Sequence, residues 1–234
     1  MMPVCSEWRW LVTPPASASW NMAFDEALLL HANSRGTSVL RFYSWIGNPA
    51  TFGYFQHIED IERMTSDRPL VRRCSGGGLV PHTSDWTYSV AVPVSDPWWG
   101  KPAEDSYRDI HQWCVHALGS IGFSATLAPA PDMAGPGQCF VGAEKNDILF
   151  EGRKIGGAAQ RRNRDGLLIQ GSIQCSGTRL PGSPSDWIQA MIQSAPVPVS
   201  ANPWDDWQQD THFTDRVGSL ANEKYGSDQW NRRR

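Results

Sequence analysis

Cys139 is followed by Phe140 and, a short predicted hairpin later, by Gly152-Arg153-Lys154-Ile155-Gly156-Gly157-Ala158-Ala159-Gln160. A thiolate attacks thioesters well, and a nearby lysine ammonium both lowers a cysteine pKa and can hold an acyl carbonyl. The small residues Gly156, Gly157 and Ala158 leave room for an extended ligand against a strand. Cys74 is a rival nucleophile because Arg72 and Arg73 precede it, whereas Cys5, Cys114 and Cys175 are expected to be buried or inert.

The second group is the run Val71-Arg72-Arg73-Cys74-Ser75-Gly76-Gly77-Gly78, with His82 close behind on the same edge. Consecutive glycines let backbone amides approach an anion or a carbonyl, and the guanidiniums add fixed positive charge. A phosphate, a carboxylate or a thioester oxygen would suit such a loop, and so would a plain tight turn. It is not a phosphate-binding loop, since no Gly-Lys-Ser/Thr follows, nor a dinucleotide fingerprint. Arg153, Lys154, Arg161, Arg162 and Arg164 form the one local excess of positive charge, either a docking patch for an acidic protein or a solvated strand face.

These residues need elements to hold them. Acidic residues followed by an apolar repeat from Asn21 to Leu30 predict a helix, and residues 105–121 a second amphipathic one. Strands are expected at 38–43, 50–54, 70–73 and 87–92, then a meander of strands at 148–150, 154–160 and 167–173 with turns at 151–153 and 163–166. This places the glycine run at the end of one strand and Lys154 at the start of another. The Pro/Gly/Ala-rich segment 127–138 is expected to be a mobile or substrate-covering loop and not an interdomain linker. From 180 to 206 at most one helix is expected, near 187–193, and 214–225 should close the fold as a helix.

With 234 residues, 40% hydrophobic and 19% charged, the chain can bury a real core as one α/β domain. The net charge of −3 excludes general attraction to nucleic acid or anionic membrane. Five cysteines without close pairs argue against a disulfide scaffold or structural zinc, and fit a reducing cytoplasm. No signal peptide is visible, nor any apolar stretch near the ~18 residues a membrane span needs. Twelve tryptophans, clustered at 8/10, 98/99 and 204/207, suggest surface contacts or loop anchors. The terminal Arg232-Arg233-Arg234 is expected to be a frayed tail.

Taken together, the segments 21–28, 41–45, 48–51 and 53–56, the run Arg72-Arg73-x-Ser75-Gly76-Gly77-Gly78-x-Val80-x-His82, Gly152 to Gln160, Gly171-Ser172-Ile173 and Lys224-Tyr225-x-Ser227-Asp228-x-Trp230-Asn231 resemble the lipoate–protein ligase A family. Its catalytic domain also occurs in biotin–protein ligases. The resemblance implies an α+β fold in which a mixed central sheet is flanked by helices, a single catalytic domain over 1–234 without a C-terminal accessory domain, and the glycine run over an acyl head group. Cys139-Phe140 and Asp85-x-Thr87-Tyr88-Ser89 resemble the cysteine-dependent octanoyltransferase branch, whereas Asn146-Asp147 and Thr83 depart from it toward the ligase branch.

On the transferase branch the resemblance implies octanoyl transfer from acyl carrier protein, through a Cys139 thioester, to a lysine of a lipoyl carrier domain in 2-oxoacid dehydrogenase subunits or glycine cleavage H protein, with no cofactor. Lys154 would orient the carbonyl and assist proton transfer, and the amides of Gly76, Gly77 and Gly78 would stabilise the oxyanion. Arg72, Ser75, His82, Gly156, Gly157 and Ala158 would shape the head-group pocket. The alternatives are an ATP- and Mg²⁺-dependent ligase acting through lipoyl-adenylate, in which Cys139 is incidental, and a non-catalytic acyl-binding protein.

Overall fold

A computed structural model describes residues 7–65, 67–131, 142–174, 182–201 and 204–233. Its centre is an eight-stranded mixed sheet. In chain order the strands of this sheet are β1 (Glu7–Val12), β2 (Thr37–Tyr43), β6 (Trp86–Val92), β7 (Thr126–Leu127), β8 (Ile148–Phe150), β9 (Arg153–Asn163), β10 (Gly166–Ile173) and β11 (Val199–Ala201). Across the sheet they lie in the order β11-β1-β2-β6-β10-β9-β8-β7, parallel from β11 to β2 and antiparallel from there on. A small sheet, β4-β3-β5, is made of β3 (Ala50–Phe52), β4 (Leu70–Arg72) and β5 (Val80–Pro81).

Alternation along the strands of the large sheet gives it a core on each face, and Phe52, Ile58, Ile61 and Leu79 make a third, smaller one at the small sheet. On β6, Trp86, Tyr88, Val90 and Val92 join one core, while Ala91 joins the other. The first core packs under α4 (Ala103–Ser120) and α5 (Pro184–Gln193) through Ile110, Trp113, Cys114, Trp187 and Met191. The second lies beneath α1 (Ala18–Arg35), through Met22, Phe24, Leu28 and Leu29, and α7 (Thr211–Ser219), through Phe213 and Val217. Short helices α2 (Ile58–Met64), α3 (Pro97–Gly100), α6 (Trp204–Gln209) and α8 (Asp228–Asn231) complete the described chain.

The local signals explain most boundaries. Glu151 and Gly152 both have positive φ, 49° and 75°, as a two-residue hairpin between twisted strands requires, and this starts β9 at Arg153 and puts Lys154 one residue in. α1, however, begins before the expected Asn21. Ser17 caps it by accepting from the Trp20 amide, so Asp25 falls in the buried middle of the helix and not in its first turn. Gly36, at φ 68°, ends it.

Several other expectations are corrected. The segment expected to hold at most one helix also holds β11 and the start of α6, because β11 gains its ladder from β1, a partner distant in sequence. The closing helix is shorter, giving way to a π-helical turn at Leu220–Tyr225. The tryptophans are largely core residues: Trp8, Trp98 and Trp113 meet edge to face, and Trp86 stacks on Trp187. Nor is the basic cluster a patch, since period-2 alternation sends Arg161 toward Cys74 and Glu26 on one face and Arg162 toward Ser106 and Trp98 on the other.

Candidate functional site

A narrow cleft, partly open to solvent, lies between the large and small sheets. Gly157, Ala158 and Ala159 of β9 and Gln170, Gly171 and Ser172 of β10 line it, with Lys154 at the start of β9. Met22 of α1, Tyr43 and Trp45 form one wall, and Thr51, Arg73, Val80 and His82 the wall contributed by the small sheet and its connections. Its lining, mostly apolar with a few convergent polar groups, suits a small amphipathic ligand.

Lys154 is almost fully buried, and its ammonium meets the Asp147 carboxylate at 2.6 Å. Asp147 is itself fully buried, and accepts from the Tyr107 hydroxyl and, at 2.6 Å, from the Glu144 amide. The Asn146-Asp147 turn is held from behind by α4. Asn146 has φ 68°, and its carbonyl accepts from His111 Nδ1 at 2.6 Å. Four separate contacts thus fix where the Lys154 ammonium points.

His111 gives this support a pH dependence. Its Nε2 is buried without a hydrogen-bond partner among the described residues, and burial pushes the imidazole down to about 4, against the pull of the Asn146 carbonyl and Asp147. An unfolded histidine takes up its proton near 6.5, so from there down to about 4 the unfolded chain binds more protons than the folded one. Stability should therefore fall as pH drops through that window, by roughly 3 kcal/mol when it is crossed fully. Urea midpoints at about pH 7 and pH 4.5 check this. His111→Gln should show the smaller acid loss, and an equal loss in both proteins would place the effect elsewhere.

The arginine and glycine run contributes differently from expectation. Arg72 does not line the cleft. It is fully buried, and its guanidinium donates to the carbonyls of Tyr54, Gln56, Trp230 and Asn231. Its backbone amide donates to Asn231 Oδ1, and its carbonyl accepts from Trp230 Nε1. Arg72 therefore rivets α8 to the small sheet, which is what the C-terminal motif is for; Lys224 and Tyr225 do the same for α1 by pairing with Glu26. Arg73, the other guanidinium of the run, lines the cleft and donates to the carbonyls of Gly76 and Gly78, setting the shape of the glycine loop.

Gly76, Gly77 and Gly78 do not line the cleft among the described residues. Gly77 has φ 84°, and its carbonyl lies so close to Gly53 that a Cβ there would sit 1.8 Å away. Ser75 is buried and donates to Gln170 Oε1 at 2.6 Å, and Gln170 donates in turn to Asp25 Oδ2. Gly156 faces Ile148 and Ile173 in the core, whereas Gly157 and Ala158 line the cleft as expected. Cys139 and Phe140, like Cys5 and Cys175, lie outside the described residues. Cys74 and Cys114 are both buried and neither lines the cleft; burial raises the pKa of Cys74 and pushes that of Cys114 up to about 12, which disfavours a thiolate at either.

His82 lies where the sequence placed it, in the cleft wall, sandwiched against Trp45 with ring centroids 3.8 Å apart. Nδ1 is 2.8 Å from Asp85 Oδ2 and Nε2 is 2.9 Å from Thr51 Oγ1. Burial pushes the imidazole below its ordinary value, against the pull of Asp85. Asp85 is buried too, which alone would raise it, but hydrogen bonds from His82, Ser172 and Thr87 outweigh burial and hold it below the usual carboxylate range. Among the described residues no group of three metal-ligating side chains is assembled, and no helix is long and apolar enough to cross a membrane.

The model of the lipoyl protein ligase A/B catalytic domain matches residues 17–220. Curated proteins similar to this chain include the octanoyltransferase LipM of Kyrpidia tusciae, 38% identical over 180 residues, and that of Staphylococcus aureus, 37% identical over 183 residues; each match covers 71% of this chain and 65% of the relative. The chain thus spans 65% of the length of these relatives. Among solved structures, a lipoate-protein ligase A bound with ATP aligns over 97% of this chain and 98% of its own with a TM-score of 0.77 at 22% identity. A putative lipoate protein ligase from T. acidophilum aligns over 97% and 100% with a TM-score of 0.78 at 22% identity, and these two show the shared fold.

Proposed function

This chain belongs to the lipoyl protein ligase A/B catalytic domain family, and from that premise we propose that it transfers an octanoyl group from acyl carrier protein to a lysine of a lipoyl carrier domain. Cys139 attacks the donor thioester and the carrier thiol leaves. The carrier lysine's amine then attacks the acyl-enzyme, forming an amide and returning the cysteine. Lys154 holds the acyl carbonyl and offsets the negative charge that grows on its oxygen, while Met22, Trp45, Val80 and Ala159 contact the alkyl chain.

The observation that carries the reading is Lys154, a cation fixed by Asp147 at one end of an otherwise largely apolar cleft, in a chain similar to proteins named octanoyltransferase. A thioester route needs only that: one nucleophile, one oriented cation, an apolar trough, and no nucleotide or metal cofactor. Intact mass after incubation with octanoyl-acyl carrier protein should show one added octanoyl group, which peptide mapping places on Cys139. Absence of that adduct, together with lipoate-dependent ATP–pyrophosphate exchange, would replace this reading with the adenylate-forming one. Acyl binding without transfer to any lipoyl domain would reduce the protein to an acyl-binding one.

A further inference from the structure

Amide formation from an amine must shed a proton, and the cleft offers few places to put one. Arg73 is a cation that only donates, Lys154 is held by Asp147, and burial pushes the Tyr43 phenol well above its ordinary value. Among the described lining residues His82 is an imidazole whose burial disfavours the protonated form. Its protonation pattern follows from its neighbours. Asp85, an ionised carboxylate, can only accept, so His82 Nδ1 carries the hydrogen of the 2.8 Å contact. A neutral imidazole then has a bare Nε2, which must accept from the Thr51 hydroxyl at 2.9 Å. Arg73 Nη1 donates to that same hydroxyl oxygen at 3.3 Å, through a lone pair that leaves the O–H free to point at Nε2.

We propose that Thr51, His82 and Asp85 form a proton relay whose open end is the Thr51 hydroxyl in the acyl cleft, and that this relay takes the proton from the acceptor amine; it rests on the thioester reading given above. Three elements are needed to build it: Thr51 from β3, His82 just after β5, and Asp85 just before β6. The Trp45 indole stacked on the imidazole prevents ring rotation, and Trp45 Nε1 donates at 2.7 Å to Thr87 Oγ1, which donates to Asp85. Asp85 keeps a second oxygen, Oδ1, buried with no hydrogen-bond partner among the described residues, so the carboxylate retains capacity to favour a positive charge on the ring.

In the step, the amine nitrogen's electron pair forms the C–N bond to the thioester carbon. The N–H proton passes to Thr51 Oγ as the Thr51 proton passes to His82 Nε2, giving an imidazolium stabilised through Nδ1–H by Asp85. On collapse the C–S pair leaves with sulfur, and the proton returns along the same path to the departing thiolate. Amine and thioester become amide and thiol with nothing else consumed. Thr51 is the catalytic residue here, and His82 and Asp85 act through it. Charged groups facing the ring are Asp85, Arg73 and Arg68, and the two guanidiniums oppose protonation in the resting state.

The test uses the isolated octanoyl-enzyme in single turnover with a lipoyl domain, across pH. Thr51→Val keeps shape but lacks the hydroxyl; it should acquire octanoate from the donor yet resolve the acyl-enzyme about a hundredfold more slowly, the scale of general-base assistance. Thr51→Ser should restore most of the rate. His82→Gln and Asp85→Asn should slow the same half-reaction and flatten its pH dependence, with circular dichroism confirming the fold of each. Resolution by Thr51→Val at the parent rate at every pH would overturn the relay while leaving the thioester reading intact. Absence of any octanoyl adduct on the parent protein would overturn both.

Discussion

Lys154→Met is expected to cut octanoyl transfer by on the order of 10³, the upper range for loss of one group that meets developing oxyanion charge. The expectation rests on how the ammonium is held. Asp147 fixes it at 2.6 Å, and Asp147 is fixed by Tyr107, by the Glu144 amide and, through the Asn146 turn, by His111. A cation locked in place before substrate arrives costs no reorganisation when charge develops, which separates it from a mobile surface lysine. Methionine keeps the apolar stem and leaves Asp147 two of its donors, so folding should survive. Measured as acylated lipoyl domain by mass, an unchanged rate would remove Lys154 from the chemistry. Lys154→Arg, with the charge kept but misplaced, should fall between the two.

Asp25→Ala is expected to destabilise the protein by about 3–5 kcal/mol, the usual consequence of stranding one half of a buried ion pair. Asp25 and Arg41 are both fully buried and meet at 2.6 Å. Asp25 also accepts from Tyr43, Ser89 and Gln170, while Arg41 reaches Thr13, Asn21 and the Asn21 carbonyl. Removing the carboxylate leaves a guanidinium and three further donors in the core without their acceptor, whereas removing both charges need not be costly. Asp25→Ala with Arg41→Met should thus recover part of the loss in urea unfolding, and strict additivity would show that the two residues do not act as a pair. Activity should fall as well, because the chain Asp25–Gln170–Ser75 connects α1 to the glycine loop.

Much of this protein was legible in its sequence. The family motifs and the α+β class followed from the order of residue types, and β2, β6, the β8–β10 meander and α4 from hydrophobic period and turn residues, signals that stay local. His82, Lys154, Gly157 and Ala158, candidates from the sequence, line one cleft. Tertiary structure decided which charges face that cleft. Two adjacent arginines are indistinguishable as letters, yet strand alternation sends Arg72 into the contact with α8 and Arg73 to the cleft. Asp25 looked like a helix-start acid and is a core counter-ion, Asp147 looked like a branch marker and holds Lys154, and Thr51 gave no sign of meeting His82. Each of these roles depends on a partner from a different element. Residue type and spacing determine what a side chain can do, but its partner, and with it its charge state and direction, is set only when the sheets close on one another.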